Sequence, residues 1–222
     1  GEKEDSIVGS VVEAYLGKKA TLHELSSLIS DPGSCSQVVH PDTPFYSASG
    51  ADGGKSKKKN VPVVLTAFVA LQDITMDMGP TTWLPGTVSE ESHAIINDGD
   101  SSKKDDFLAG APRVLGLLPK GSVALFDSRC LHRGGANLSQ NSRGLFYMSF
   151  KNPKVQSAGN PQSIRPGYVD RLTLADLRRE LKGRTLKQGE EDGSSGDSHG
   201  SEVDSYVYTR EFDELRLEGN MS

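Results

Sequence analysis

The amino-acid sequence predicts a mainly β protein built as an antiparallel sandwich or jelly roll. Several short runs rich in Val, Leu, Phe and Thr are bounded by Gly, Pro, Asn or Asp, as strands usually are. Few helical patterns lie between these runs, which disfavours a parallel α/β sheet. The predicted strands cover residues 34–40, 61–72, 81–86, 112–119, 121–132 and 143–150. His23, in TLHELSS, is expected on a further strand.

Two segments have helical spacing instead. Residues 6–17 form the first, with Gly17 as a plausible stop. The apolar face expected there consists of Ile7, Val11, Val12 and Tyr15. Residues 173–183 form the second, with Thr173 as the N-cap. Its apolar positions are Leu174, Leu177 and Leu181.

The remaining segments divide the chain. We predict one folded domain over residues 1–186, an acidic, Ser/Gly-rich disordered segment over 187–205, and a C-terminal segment, 206–222, that docks on the domain. Residues 47–60 and 97–106 read as solvent loops. The first of these resembles a phosphate-binding P-loop, but Ser49 stands where that motif needs its first glycine, and no strand precedes it.

The bulk composition excludes some classes of partner. A net charge of -5 and a pI near 5.6 give no support to nucleic-acid binding. No apolar run approaches the roughly 18 residues of a membrane helix. The two cysteines, Cys35 and Cys130, lack zinc-site spacing and read as reduced thiols, and the opening residues GEKED show no signal peptide. These features predict a cytoplasmic protein.

A candidate metal site begins with the stretch SQVVHPDTPFYS, residues 36–47. On an extended chain His40 and Asp42 point the same way, and iron(II) oxygenases bind their metal with two imidazoles and one carboxylate. The third ligand must then be a distant histidine. His132 ends the apolar run GSVALFDSRCLH and is the best candidate. A structural or solvated role is expected for His23, His93 in a polar loop, and His199 in the acidic segment.

Arg143 begins the next apolar strand, after a turn-rich connection over residues 133–142. Two antiparallel strands joined by such a turn would bring His132 and Arg143 to the same end of a sheet. A guanidinium at the mouth of an apolar strand is costly without an anionic partner, and its planar fork of donors matches a carboxylate. A small-molecule carboxylate is one such partner.

This combination resembles the iron(II)/2-oxoglutarate-dependent oxygenases of the phytanoyl-CoA dioxygenase family. His132 lies 90 residues after Asp42, and Arg143 lies 11 residues further on, which is the step that family uses. The segment TAFVALQDITMDMGPTTWLPGT (66–87) is similar to the family's "W-x-A-L" strand and "G-P-x-x-x-x-P-G-S-H" loop, and HRGGANLSQNSR (132–143) to its "H-x-S-G-x-N-x-S-x-x-x-R". The resemblance covers roughly residues 9–180, and relatives carry more chain before the first helix.

The resemblance implies a double-stranded β-helix (jelly roll) with a few flanking helices, and Fe(II) held by His40, Asp42 and His132. It implies that Arg143 pairs with the distal carboxylate of 2-oxoglutarate, and that O2 oxidises a C–H bond with release of succinate and CO2. Because halogenating relatives have a small residue at the acidic position, Asp42 indicates hydroxylation.

Three weaker cofactor contacts follow from the same resemblance. Gln37 could donate a hydrogen bond to the co-substrate. Phe68 matches a position where relatives often have Trp, and Thr66 shares its strand face, although strand packing explains both equally well.

The chain also departs from the family pattern. Pro41 replaces a frequent Gln, and Gly134 replaces a Ser whose hydroxyl could help Arg143. The alternatives are a catalytically silent jelly-roll metal-binding or interaction domain, and a different metal-dependent jelly-roll enzyme without the keto acid.

Overall fold

The computed structural model describes residues 6–45, 63–154, 164 and 169–191, and the side chains of the last range as far as residue 183. These residues contain four helices and seven strands. In chain order the elements are α1 (Ile7–Leu16), β1 (Thr21–Ser30), β2 (Val64–Ala70), β3 (Thr81–Trp83), α2 (Glu90–Asn97), α3 (Ser101–Gly110), β4 (Val114–Leu115), β5 (Val123–Asp127), β6 (His132–Gly134), β7 (Arg143–Lys151) and α4 (Leu174–Glu191).

The strands form two antiparallel sheets, as the composition predicts. The major sheet has the order β1-β7-β2-β5, and the minor sheet has the order β4-β3-β6. Aromatic side chains join the two sheets. Phe68 of β2 lies 6.3 Å from Trp83 of β3 between ring centroids, and Phe126 of β5 lies 5.2 Å from the ring of His132 in β6. The architecture is a jelly roll, and the predicted fold class is confirmed.

The helix α1 packs with a face that only partly matches the predicted one. Ile7 and Tyr15 are 83% and 61% exposed, so these two predicted positions face solvent. Val12 is buried as predicted, and Leu16, which was not predicted, is buried with it in a cluster with Phe150 of β7 beneath them. Their i, i+4 spacing defines a face shifted round the helix, which composition alone did not distinguish. The predicted stop is correct, because Gly17 takes a φ of 85°, a value that favours glycine.

Several predicted strands are shorter than expected. Residues 34–40 form no strand, and only an isolated bridge joins His40 to His132. The run 112–119 contributes only β4, and 81–86 only β3. The long run 121–132 is broken by a turn between β5 and β6. Glycine, proline and polar residues within these runs interrupt the ladders that their apolar residues suggested.

The connection 133–142 is not the predicted hairpin. β6 pairs with β3 in the minor sheet, while β7 pairs with β1 and β2 in the major sheet. The chain therefore crosses from one sheet to the other between His132 and Arg143. The two side chains face one cavity from opposite sheets, and do not lie at one end of the same sheet.

The predicted loop 97–106 is also wrong over most of its length, because α3 begins at Ser101, capped by the side chain of Asp100. His93 lies in α2, whose N-cap is Ser89, and not in a polar loop. Polar, charged sequences can form exposed helices when a cap satisfies the first amides. The predictions for residues 47–60, and for the acidic and C-terminal segments beyond residue 191, lie outside the described residues.

The helix α4 starts as predicted, but it continues to Glu191, past the predicted end at residue 183 and into the segment 187–205 that was predicted to be disordered. Thr173 Oγ1 accepts a hydrogen bond from the Asp176 amide, and the Asp176 carboxylate accepts one from the Thr173 amide. This reciprocal pair is a capping box. Residues 1–181 form one compact unit, and of the second unit, 182–222, the structure describes only 182–191, which are helical. None of the helices in the described ranges has the length and apolarity needed to cross a bilayer.

Asp170 ties the end of the major sheet to the chain that precedes α4. Its carboxylate accepts hydrogen bonds from Lys151 Nζ at 2.7 Å and Thr21 Oγ1 at 3.1 Å, and contacts His23 Nδ1 at 3.1 Å. Burial by itself raises the pKa of the Asp170 carboxyl, but its contacts with Lys151 and His23 outweigh burial and bring the pKa below its ordinary value. His23 thus has the structural role expected for it.

We predict that Asp170→Asn lowers the free energy of unfolding by about 1–3 kcal/mol at pH 7. Asparagine tolerates the positive φ of 58° at this position, so the loss reports on charge. Because the folded pKa is depressed, the stabilisation is complete above the unfolded value near 3.9 and is lost as the pH falls through the folded pKa. Urea unfolding of both proteins at pH 7 and at about pH 2.5 measures this.

Asp105→Asn, on the exposed side of α3, is the matched control and should change stability by less than about 0.5 kcal/mol. A pH-independent difference between Asp170→Asn and the unmodified chain would contradict the ion-pair account.

Candidate metal centre

Three side chains converge on one point between the sheets. His40, Asp42 and His132 each offer a ligand atom, and these atoms lie within 4.8 Å of one another. The Asp42 Oδ1 atom is 3.8 Å from His40 Nε2 and 3.5 Å from His132 Nε2. Among the described residues, this is the one group of three or more His, Cys, Asp or Glu side chains that could hold a metal ion.

The backbone fixes which ring nitrogen of each histidine faces the centre. His40 Nδ1 lies 2.8 Å from the carbonyl oxygen of Val38, and His132 Nδ1 lies 2.9 Å from that of Cys130. A carbonyl oxygen only accepts, so each Nδ1 must carry the proton and donate it. Each Nε2 is then left as a lone-pair donor directed at Asp42. Metal-binding histidines are usually oriented in this way.

A short backbone ladder sets the spacing of the two ligand-bearing segments. The amide of His40 donates to the carbonyl of His132 at 2.9 Å, and the amide of His132 donates back at 3.0 Å. The amides of Asp42 and Thr43 both donate to the carbonyl of Ser128, whose hydroxyl bonds Thr43 Oγ1 at 2.7 Å. Residues 40–43 therefore lie along 128–132 in a fixed register.

His93 braces the same two segments from outside the centre. Its Nδ1 accepts a hydrogen bond from the amide of Phe45 at 3.0 Å, and its Nε2 donates to the carbonyl of Arg129 at 2.8 Å. The ring is only 5% exposed. One buried imidazole thus holds a residue three positions after Asp42 and a residue three positions before His132.

The charge of Asp42 acts on His132. Burial alone lowers the pKa of the His132 ring, but the hydrogen bond and the charge of Asp42 reverse this and place the pKa above its ordinary value. The position beside Nε2 is therefore one where positive charge is favoured. The negative charge of Asp42 that favours a proton at Nε2 also favours a metal cation there.

Arg143 lies across the same cavity, at the start of β7. Its side chain is buried, and burial lowers the pKa of the guanidinium, which nevertheless stays charged at neutral pH. The one hydrogen bond that its guanidinium makes to the described residues is a long one, 3.4 Å, to the carbonyl of Met78. No carboxylate in the described part of the chain pairs with it. A buried cation in this state favours an anionic ligand.

Gln37 occupies the space that a larger residue at position 134 would need. Its Oε1 accepts a hydrogen bond from the Gly134 amide at 2.8 Å. A Cβ at Gly134 would lie 2.9 Å from that same oxygen and 3.3 Å from Arg143 Nη2. Where the family has a serine this chain has Gly134, and the space that the serine side chain would need is taken by Gln37, which lies next to Arg143.

Phe68 and Thr66 line the cavity, and both also have packing roles. Phe68 is 5% exposed and contacts Phe126 with ring centroids 5.0 Å apart. Thr66 Oγ1 lies 3.0 Å from Ser149 Oγ. All seven predicted site residues line a single cavity of about 470 Å³.

Sequence reasoning missed His93 because it assigned that segment to a loop. The signal was the N-cap Ser89 followed by Glu90 and Glu91 in the first turn, which is typical of a helix start. It also missed the ion pair of Arg129 with Asp127, at 2.6 Å, in the turn that leads to β6. Cys35 and Cys130 are free thiols, the first exposed and the second buried.

A comparison with protein-family models shows the family to which the chain belongs. The family model for phytanoyl-CoA dioxygenase (PhyH) matches residues 2–145. The chain belongs to this family. Dioxygenase easH from Epichloe festucae var. lolii is 31% identical over 106 residues, which are 48% of this chain and 49% of that protein. The chain thus spans about half the length of this curated relative.

Solved structures share the fold at low identity. AviO1 from Streptomyces viridochromogenes Tue57 matches with a TM-score of 0.50 and 16% identity, over 70% of this chain and 62% of that chain. EctD from S. alaskensis, solved with 2-oxoglutarate and 5-hydroxyectoine, matches with a TM-score of 0.51 and 18% identity, over 76% of this chain and 58% of that chain. At these identities the likeness establishes the jelly roll.

We predict that His93→Ala lowers the free energy of unfolding by about 2–4 kcal/mol, because it leaves the Phe45 amide and the Arg129 carbonyl without their partner. Urea unfolding measures the loss. Asn97→Ala, at the exposed end of the same helix, is the control and should change stability by less than about 0.5 kcal/mol. Equal stability of the two variants would show that His93 does not brace these segments.

Proposed function

We propose that this chain carries the active site of an iron(II)- and 2-oxoglutarate-dependent dioxygenase that hydroxylates a C–H bond of a small organic or lipid-like substrate. The observation that carries the proposal is the pairing of two features in one cavity. A His-Asp-His centre lies on one wall, and a buried arginine without an acidic partner among the described residues lies on the other.

The donor set fits iron(II). Two imidazoles and one carboxylate on one side of an ion leave its other positions open, which is the arrangement of non-haem iron oxygenases. Ligand atoms each about 2.1 Å from one ion are separated by about 3 Å. The separations of 3.5 and 3.8 Å therefore need only small side-chain rotations to close. The proposed ligands are His40, Asp42 and His132.

The anion site fits 2-oxoglutarate. Arg143 would bind the distal carboxylate through its planar fork, and the dicarboxylate would then compensate a buried cation. Gln37 lies beside Arg143 and could add a hydrogen bond through its amide nitrogen, since its oxygen is already bound to Gly134. The cavity walls at Thr66 and Phe68 would pack against the co-substrate.

The bound iron and co-substrate would supply one chemistry: oxidative decarboxylation of 2-oxoglutarate to succinate and CO2, coupled to insertion of oxygen into a substrate C–H bond. The chain's own residues hold the histidine tautomers, orient the dicarboxylate and exclude water. Asp42 keeps a third protein ligand on the metal, which favours hydroxylation over halogenation. The intact centre and Arg143 speak against a catalytically silent domain.

Anaerobic addition of Fe(II) and 2-oxoglutarate should produce a weak visible charge-transfer band, and admission of air should yield succinate. His132→Ala should abolish the band because it removes a buried ligand. Arg143→Ala should retain metal binding and raise the 2-oxoglutarate concentration needed for half-saturation by about 10- to 100-fold, the value of a hydrogen-bonded charge pair. An equal loss in both variants would mean that Arg143 is structural.

We predict that Gly134→Ala displaces Gln37 from its hydrogen bond and crowds Arg143, because the new methyl group would meet both side chains. The far ends of these side chains can move, so the variant should fold with little loss of stability. It should require about tenfold more 2-oxoglutarate for half-saturation of the band.

Gly121→Ala, at a position open to solvent, controls for glycine substitution in general; its φ of 83° should cost stability without affecting 2-oxoglutarate. Unchanged co-substrate affinity in Gly134→Ala would sink the assignment of Gln37 and Gly134 to this site.

A further inference from the structure

The inner face of the major sheet has opposite charges at its two ends. In the pairing of β1 with β7, Ser30 lies opposite Arg143 at one end of the sheet, and Glu24 lies opposite Ser149 at the other. Along β7, the rise from Arg143 to Ser149 is about 20 Å. Arg143 and Glu24 both line the cavity, so its walls run from a cation at one end to a carboxylate at the other.

A β-bulge aims Glu24 inward. The pairing of β1 with β7 shifts between Leu22 and Glu24, so that His23 is an extra residue opposite no partner. Leu22 packs into the core cluster with Phe150, whereas His23 and Glu24 both line the cavity. A regular strand would have alternated these side chains between its two faces. Bulges of this kind re-aim side chains beside functional sites.

The Glu24 carboxylate is held in place without being neutralised. Its Oε2 accepts a hydrogen bond from Ser149 Oγ at 3.1 Å, and Ser149 Oγ in turn lies 3.0 Å from Thr66 Oγ1. Ser149 and Thr66 are both buried. No lysine, arginine or histidine of the described residues forms an ion pair with Glu24. The hydrogen bond from Ser149 fixes one oxygen and leaves the other available.

The charges at the metal end of the cavity would balance, whereas the described residues supply no cation for Glu24 at the other end. If iron(II) and 2-oxoglutarate bind as proposed above, the two positive charges of the metal and the one of Arg143 offset Asp42 and the two carboxylates of the co-substrate. His23, at the bulge, and Lys151 both pair with Asp170 and not with Glu24. Among the described residues no cation compensates the half-buried Glu24 carboxylate, and a charge in this position favours a cationic ligand.

From this arrangement we propose that Glu24 binds a protonated amine of the substrate and so selects a cationic small molecule. The inference depends on the proposed function, because it assumes that bound iron(II) and 2-oxoglutarate balance the charges of Asp42 and Arg143. The next cross-strand row towards Arg143 consists of Phe68 and Tyr147, which both line the cavity. An amine at Glu24 would therefore place the adjoining carbon skeleton against aromatic rings, on the way to the metal centre.

The test uses three probes that share the 2-phenylethyl group, on the chain loaded anaerobically with Fe(II) and 2-oxoglutarate. They are 2-phenylethylamine, which is a cation, its neutral N-acetyl derivative, and the anion 3-phenylpropionate. Calorimetry measures the binding of each, and the visible band reports separately whether the metal and the co-substrate are in place. The amine should bind about tenfold or more tighter than the neutral probe, the effect of a charge-assisted hydrogen bond, and the anion should bind most weakly.

Two variants and a control connect the preference to this residue. Glu24→Gln keeps the shape and a hydrogen-bonding group for Ser149, and should bring the amine and the neutral probe within about threefold of each other. Glu24→Lys should reverse the order in favour of 3-phenylpropionate. Glu180→Gln, at an exposed position of α4, makes the same change in net charge and should keep the preference for the amine.

The outcomes are distinguishable. If the band fails to form in the unmodified chain, the proposed function fails, and this inference falls with it. If the band forms but the amine binds no tighter than its neutral and anionic counterparts, or binds equally well to Glu24→Gln, only the role of Glu24 is overturned.

Discussion

The candidate site depends on one isolated backbone bridge. The reciprocal hydrogen bonds between His40 and His132, at 2.9 and 3.0 Å, bring two residues from distant parts of the chain side by side. The segment that carries His40 belongs to no strand, so this bridge, the Ser128 carbonyl and His93 supply the ordering that a sheet would otherwise give.

The site is also organised by the two sheets together. The minor sheet and the segment beside it present the metal-binding side chains, while the major sheet presents Arg143, the aromatic row and Glu24. Side chains on one face of a sheet recur at every second residue, so β7 spaces these groups by its own geometry. The chemistry at one end of the cavity is thus separated from substrate recognition at the other by the length of a strand.

The sequence was sufficient for the fold class and for the capping of α4, because spacing and residue type report directly on those features. It also singled out His40, Asp42, His132 and Arg143, which line one cavity, and their roles stay predictions. It was insufficient where tertiary contacts decide. The face of α1 was chosen by Phe150 beneath it, and the crossing between β6 and β7 was set by pairing partners far along the chain. The bulge at His23 is set by register against β7, which no local pattern in β1 reveals. The contact of Gln37 with the co-substrate stays a prediction, and its hydrogen bond with the Gly134 amide needed coordinates.

The central claim is that one iron ion is bound by His40, Asp42 and His132. Anomalous diffraction at the iron edge, from crystals soaked anaerobically with Fe(II) and 2-oxoglutarate, tests it most directly. The account predicts a single strong peak about 2.1 Å from Nε2 of each histidine and from one Asp42 oxygen. A peak elsewhere in the cavity, or ligation through Nδ1 of either histidine, would contradict it.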